Sequence, residues 1–326
     1  MQGNYSSPRK VNPYNNPDMN PALTKFLAPT KWKTVDITWF DADWSPRQYA
    51  RLSNDNGDIA ILLDSPPDTS PDSMIGHEIG AWSKINKHLR ALGLYAPHIY
   101  AQDLENGYIL MEDFGTRDLV GSTTNAYIAA TDILITFRDH ENAKSIDLLG
   151  YKDTHVYKAL RFYPQYILGT PDLEKKWFAA WDEIESALPP CPQILTHIDF
   201  NASNLMWVND RVGILDFQGA CFAPFVYDMV NLLDDARRTI PGDIKQSCID
   251  HYCASLSPSD VETFNAWYPV IKAQFHARVL GQILKLKTES GRDDLMQFFT
   301  PLQTSFEKQL HDPALAPILR LIEQER

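Results

Sequence analysis

Leu195-Thr196-His197-Ile198-Asp199-Phe200-Asn201-Ala202-Ser203-Asn204-Leu205-Met206-Trp207 is followed, after a polar turn, by Val212-Gly213-Ile214-Leu215-Asp216-Phe217-Gln218. The apolar runs 205–208 and 212–215 read as a strand, a turn and a returning strand, which brings Asp216 back beside Asn204. Asp199 stands five residues before Asn204. Phosphoryl transfer to a hydroxyl needs a carboxylate near the nucleophile and metal ions on the transferring phosphates. Asp and Asn side chains supply the oxygen ligands that hard divalent cations take. The pattern therefore gives Asp199 the task of orienting a substrate hydroxyl and accepting its proton, and gives Asn204 and Asp216 the task of holding Mg2+ against the phosphates. A lone Asp or Asn in a loop is usually a turn former or a helix cap; the joint spacing of the three carries the reading. His197 is expected to order the loop by hydrogen bonding. Asp228, at an apolar helix start, is expected to brace that loop or to act as an N-cap.

Working outward toward the N-terminus, a short helix over 21–27 precedes three expected strands at 34–40, 47–54 and 58–64. The last two are joined by Asp55-Asn56-Gly57, whose Asn-Gly step supplies the positive φ of a tight hairpin. Ile75, Ile79, Trp82, Ile85, Leu89 and Leu92 recur at helical spacing and stop at Gly93. Two more strands are expected at 98–102 and 108–112. Beyond them the pattern turns helical, over 125–140, 154–167, 172–188 and from 225 to the end. The aromatics Phe137, Tyr157, Phe162, Trp177 and Trp181 are read as core. The fold class is α+β and bilobal: a flexible leader (1–20), a small antiparallel-sheet N-lobe for nucleotide (21–114), and a larger, mostly helical C-lobe (115–326) with the catalytic loop, metal loop and substrate site.

The spacing His-x-Asp-x4-Asn, an apolar strand and Asp-Phe resembles the catalytic and metal loops of protein-kinase-like enzymes. The chain is similar to the aminoglycoside phosphotransferase superfamily, and within it to the anomeric kinases for N-acetylmuramate and N-acetylglucosamine in cell-wall sugar recycling. Asp43-Trp44-Ser45-Pro46-Arg47-Gln48-Tyr49-Ala50-Arg51, Asp64-Ser65-Pro66-Pro67, Leu110-Met111-Glu112-Asp113-Phe114-Gly115, and Asp216-Phe217-Gln218 through Pro224, Tyr227-Asp228 and Leu232-Leu233-Asp234-Asp235 carry that resemblance. It implies a kinase-like bilobal fold, ATP as donor, Mg2+, transfer to an anomeric hydroxyl, and Glu112 on the nucleotide side. Departures fall at Ile198, Phe200 and Asn201 in the catalytic loop and at Phe275 in the late helix.

No lysine stands on the third expected strand, which reads Ile61-Leu62-Leu63-Asp64, and no glycine-rich loop precedes it. Arg47, Tyr49 and Arg51 alternate along the second strand and so share a sheet face, which makes Arg47 or Arg51 the expected phosphate grip; a pair of surface arginines is the bland alternative. Glu78 is read either as a lysine-paired helix residue or as a solvated one, and Arg237-Arg238 as a solvated helix end.

A formal charge of −12 argues against nucleic-acid partners, which need a basic surface. The four cysteines form no CxxC pair and suit a reducing cytosol. The expected protein is cytoplasmic, with a small-molecule partner and no membrane or nucleic acid. Two other functions stay open: an aminoglycoside or choline-type kinase, and a nucleotide-binding pseudokinase, the latter prompted by the missing lysine.

Overall fold

The computed structural model describes residues 20–33, 35–40, 46–73, 75–76 and 78–325. The expected leader up to residue 19, Thr34, and Asp43-Trp44-Ser45 of the strand motif lie outside the described residues. Helices α1 (Pro21–Leu27) and α2 (Ile79–Ala91) accompany strands β1 (Val35–Trp39), β2 (Gln48–Asn54), β3 (Ile59–Asp64), β4 (Ile99–Asp103) and β5 (Tyr108–Met111). They are followed by α3 (Thr124–Asp139), α4 (His155–Lys158), α5 (Glu174–Ala187), β6 (Gln193–Thr196), β7 (Leu205–Val208), β8 (Arg211–Ile214) and β9 (Cys221–Pro224). The remainder is helical: α6 (Tyr227–Leu233), α7 (Gly242–Ala254), α8 (Pro258–Ser290), α9 (Met296–Gln309) and α10 (Ala316–Gln324).

Two compact units result. The first runs to Gly121 and also takes Ala202–Gly219; the second holds Ser122–Asn201 and everything from Ala220. In the first, an antiparallel sheet has the order β1-β2-β3-β5-β4. Alternation along β2 sends Ala50 and Leu52 into a core with Leu23, Phe26 and Leu27 of α1, and leaves Tyr49 and Arg51 on the opposite face. Gly57 takes the left-handed turn position (φ +79°), and Asn54 Oδ1 accepts the Asn56 and Asp58 amides at 3.0 and 2.9 Å. Ile75 is 75% exposed, contrary to its expected place on the helix face. Gly76, at φ +81°, turns the chain, and α2 begins only at Ile79. The β7–β8 hairpin is closed by Asn209 and Asp210, both at positive φ as a type I′ turn requires.

The second unit is built on helices around Trp177 and Trp181, both fully buried and 5.9 Å apart in a T-shape. The helix expected over 154–167 is broken into α4, a 3-10 turn at Ala159–Arg161 and a π turn at Tyr163–Ile167. Pro164 cannot donate to a carbonyl one turn back, and its ring collides with that turn. Strands β6 and β9 form a two-stranded antiparallel ribbon that was not among the expected strands.

Gly281 of α8 lies against the broken segment: an added Cβ would stand 2.5 Å from the Phe162 carbonyl carbon and 2.6 Å from the Tyr163 nitrogen. Those are backbone atoms that cannot swing aside. Gly281→Ala should cost about 1–3 kcal/mol in overpacking, more than the ~1 kcal/mol of helix propensity it gains. Urea unfolding measures this, and a variant as stable as the parent would mean that the contact is not tight.

Candidate active site

The loop bearing Asp199 leaves β6 in the second unit. The buried Asp228 carboxylate accepts the backbone N–H groups of His197 (2.6 Å) and Ile198 (3.0 Å). Ile198 sits at φ +74°, a region that costs a β-branched residue of order 1–3 kcal/mol. The two bonds to Asp228 hold that strained turn and so fix where Asp199 stands. Asp228 thus braces the loop. His197 Nδ1 accepts the Asp199 amide at 3.3 Å, and Asn201 donates to Asp199 Oδ1 at 2.9 Å, setting the carboxylate's rotation.

Burial pushes the Asp228 carboxyl up to about 7, the His197 and Ile198 amides oppose this, and the Asp199 charge adds to the rise. Unfolded, the group titrates near 3.8. Its contribution to stability is therefore complete below that value and is lost as pH climbs through 7. Asp228→Asn should flatten the fall in unfolding free energy between about pH 4 and 7. Urea titrations at several pH values read this; a slope identical to the parent's would show that the carboxyl titrates normally in the folded chain.

Asn204 and Asp216 lie in the first unit, where the Leu215 amide donates to the Asn204 carbonyl at 2.9 Å and makes the two segments neighbours. Asp216 is exposed and held at φ +59°. Gln218 Nε2 donates to Asp216 Oδ1 at 2.7 Å, while Gln218 Oε1 is buried without a hydrogen-bond partner among the described residues. The Asp216 carboxylate, the side-chain amide oxygen of Asn204 at the end of the turn Ala202–Asn204 and the orphaned buried oxygen of Gln218 are all hard donors, so the residues present fit Mg2+. Gln218 was not singled out in the sequence; its place two residues after Asp216 is the signal that was available.

The strand-face residues have partners within the first unit. Arg51 makes a bidentate pair with Asp113 (Nε–Oδ2 2.5 Å, Nη2–Oδ1 3.1 Å) and is 29% exposed. Arg47 is buried, with Nη2 3.3 Å from the Glu78 carbonyl. Glu78 stands at the residue before α2, its side chain turned back to accept the Gly76 amide at 2.8 Å. Glu112 accepts the Tyr95 hydroxyl at 2.6 Å and the His98 amide at 3.1 Å, and with Tyr95, Arg90 and Arg211 it lines a cavity of about 350 Å³.

Residues 36–267 match the phosphotransferase enzyme family. The chain belongs to that family. An N-acetylmuramate/N-acetylglucosamine kinase of Caulobacter vibrioides is 28% identical to it, over 91% of this chain and 94% of the relative. A kinase of the same name from Pseudomonas aeruginosa is 26% identical, over 86% of each. A choline/ethanolamine kinase family protein from Mesorhizobium loti superposes with a TM-score of 0.62 at 11% identity, covering 94% of this chain and 96% of that one, which shows the shared kinase-like fold.

Like the rest of its family, then, this phosphotransferase is an α+β kinase-like enzyme that transfers a phosphoryl group to a hydroxyl acceptor. Among the described residues no helix is long and apolar enough to cross a membrane. Arg237 and Arg238 are not a solvated helix end. Both pair with Asp235, whose side chain is 3% exposed, because a carboxylate buried after α6 needs compensating charge. The adjacent Asp234 is held by Lys245 and Lys272, at 2.7 and 2.8 Å, and by the Tyr268 hydroxyl at 2.6 Å. No sequence spacing signals this second pairing, since the lysines come from α7 and α8.

Proposed function

We propose that this phosphotransferase moves the terminal phosphoryl group of ATP, with Mg2+, onto the anomeric hydroxyl of an N-acetylated amino sugar. The observation that supports the substrate is the likeness of nearly the whole chain to N-acetylmuramate/N-acetylglucosamine kinases. On this reading the first unit serves the nucleotide and the second the acceptor. Asp199, fixed through Asp228 and Asn201, orients the acceptor hydroxyl and takes its proton, a contribution of about 10²–10⁴-fold. Asn204 and Asp216 hold the metal, which when bound neutralises the phosphate charge. Four free thiols support a reducing, cytoplasmic setting.

Arg51, Arg47 and Glu112 belong to the nucleotide side. Arg51 is the stronger of the two arginines as a phosphate partner, since it is the more exposed; with Nε and Nη2 turned to Asp113, a phosphate oxygen would take its remaining donors. Arg51→Met should raise the nucleotide KM or lower kcat about tenfold, near 1.4 kcal/mol. Normal kinetics in Arg51→Met, Arg47→Met and the double variant would remove both arginines from the nucleotide site.

The acceptor is tested by a coupled nucleotide-turnover assay with N-acetylmuramate, N-acetylglucosamine, choline and an aminoglycoside, followed by phosphorus NMR of the product. The expected product is an anomeric phosphate. A 6-phosphate would overturn the position of transfer, and turnover of choline or the aminoglycoside alone would overturn the substrate class. Turnover of any acceptor rejects a pseudokinase.

A further inference from the structure

Four cations surround two carboxylates at the end of α6: Arg237 and Arg238 on Asp235, Lys245 and Lys272 on Asp234. One cation per carboxylate would balance the charge, so the group carries a formal excess of two positive charges in a chain whose net charge is −12. Burial works against the charged form of Asp234, yet Lys272 and Lys245 hold its carboxyl below the ordinary range, and Asp235 lies between two guanidinium groups. Arg237 spends Nε on Asp235 and keeps a 34% exposed side chain; its Nη groups have no acceptor among the described residues.

The cluster also has a defined place. Helix α6 has Asp228, which clamps the catalytic loop, in its first turn and is capped at its C-terminal end by Asp234. Six residues of helix span about 9 Å, the scale of a substituted sugar ring. Cations of this kind would repel choline or an aminoglycoside, and a guanidinium with open Nη groups is matched to a carboxylate.

We propose that Arg237, supported by Arg238, Lys245 and Lys272, forms the acceptor subsite for a carboxylate, so that the enzyme prefers an acidic N-acetylated amino sugar to its neutral parent. This rests on the reading of the chain as an amino-sugar kinase. A purely structural role is the competing account: cations near a helix C-terminus and beside buried acids are ordinary stabilising partners, and their loss would then affect every acceptor alike.

The test compares kcat and KM for N-acetylmuramate and N-acetylglucosamine in the parent, Arg237→Gln, Arg237→Lys and Lys272→Met. Each variant leaves its carboxylate one remaining cation, Arg238 or Lys245, and circular dichroism checks folding. The parent should favour N-acetylmuramate. Arg237→Gln should reduce that preference by about tenfold or more, through KM rather than kcat, with Arg237→Lys intermediate. Lys272→Met should shift the preference in the same direction by less. Turnover of N-acetylglucosamine with no preference for the acid, or a preference untouched by Arg237→Gln, overturns this subsite while leaving the amino-sugar reading intact. Turnover of neither sugar overturns both.

Discussion

Asp199→Asn is expected to lower kcat by about 10²–10⁴-fold, with lost positioning adding to that, while nucleotide binding stays near its parent value. The substitution keeps the size of the side chain and an oxygen able to accept the Asn201 amide, now at 2.9 Å from Asp199 Oδ1. The Asp228 clamp on His197 and Ile198 is untouched, so the loop keeps its shape. What disappears is the ability to take a proton. Steady-state kinetics with calorimetric nucleotide titration separates the effects, and retention of more than about a tenth of the parent rate would remove Asp199 as the base.

Asp216→Ala should act on the other half of the reaction, weakening Mg2+-dependent nucleotide binding by about a hundredfold or more, since a metal ligand is lost from beside the phosphates. Asn204→Ala should do the same less severely. Because Asp216 occupies φ +59°, Asp216→Gly is the informative companion: glycine adopts that backbone without strain. The glycine variant should match or exceed the parent in urea unfolding and still lose metal-dependent binding. Excess chelator should silence the parent altogether, and turnover that survives it would exclude metal-assisted transfer.

The antiparallel sheet was legible because its cues are local. The Asn56-Gly57 step and the alternation around Ala50 and Leu52 each lie within a few residues of what they determine, as does the apolar pair 205–208 and 212–215 that forms the separate β7–β8 hairpin. Spacing is what singles out Asp199, Asn204 and Asp216 as candidates; the fold places Asp199 in one unit and the other two in the second segment of the other. The misses were long-range or steric. Strands β6 and β9 are four residues each and pair across a separation that no periodicity reports. Pro164 carried a visible signal, a proline inside the helical pattern expected over 154–167, and the helix breaks there. The pairing of Arg237 and Arg238 depends on Asp235 being buried, which charge spacing alone does not reveal.

The first unit is not a contiguous stretch of the gene, and that orders its birth on the ribosome. Its sheet can form as soon as residues to Gly121 emerge, yet the hairpin that completes the unit waits until Ala202–Gly219 has been synthesised. In the meantime the backbone of Tyr95, Arg117 and Leu119, which later bonds to Ile214, Trp207 and Leu205, has no partner, and the Phe114 ring that packs on Gly213 lies bare. A fragment ending at Gly121 would be permanently in this state and should stick to itself or to chaperones. Grafting this lobe onto another acceptor lobe therefore requires moving two segments together, with all three splice points, Gly121–Ser122, Asn201–Ala202 and Gly219–Ala220, preserved.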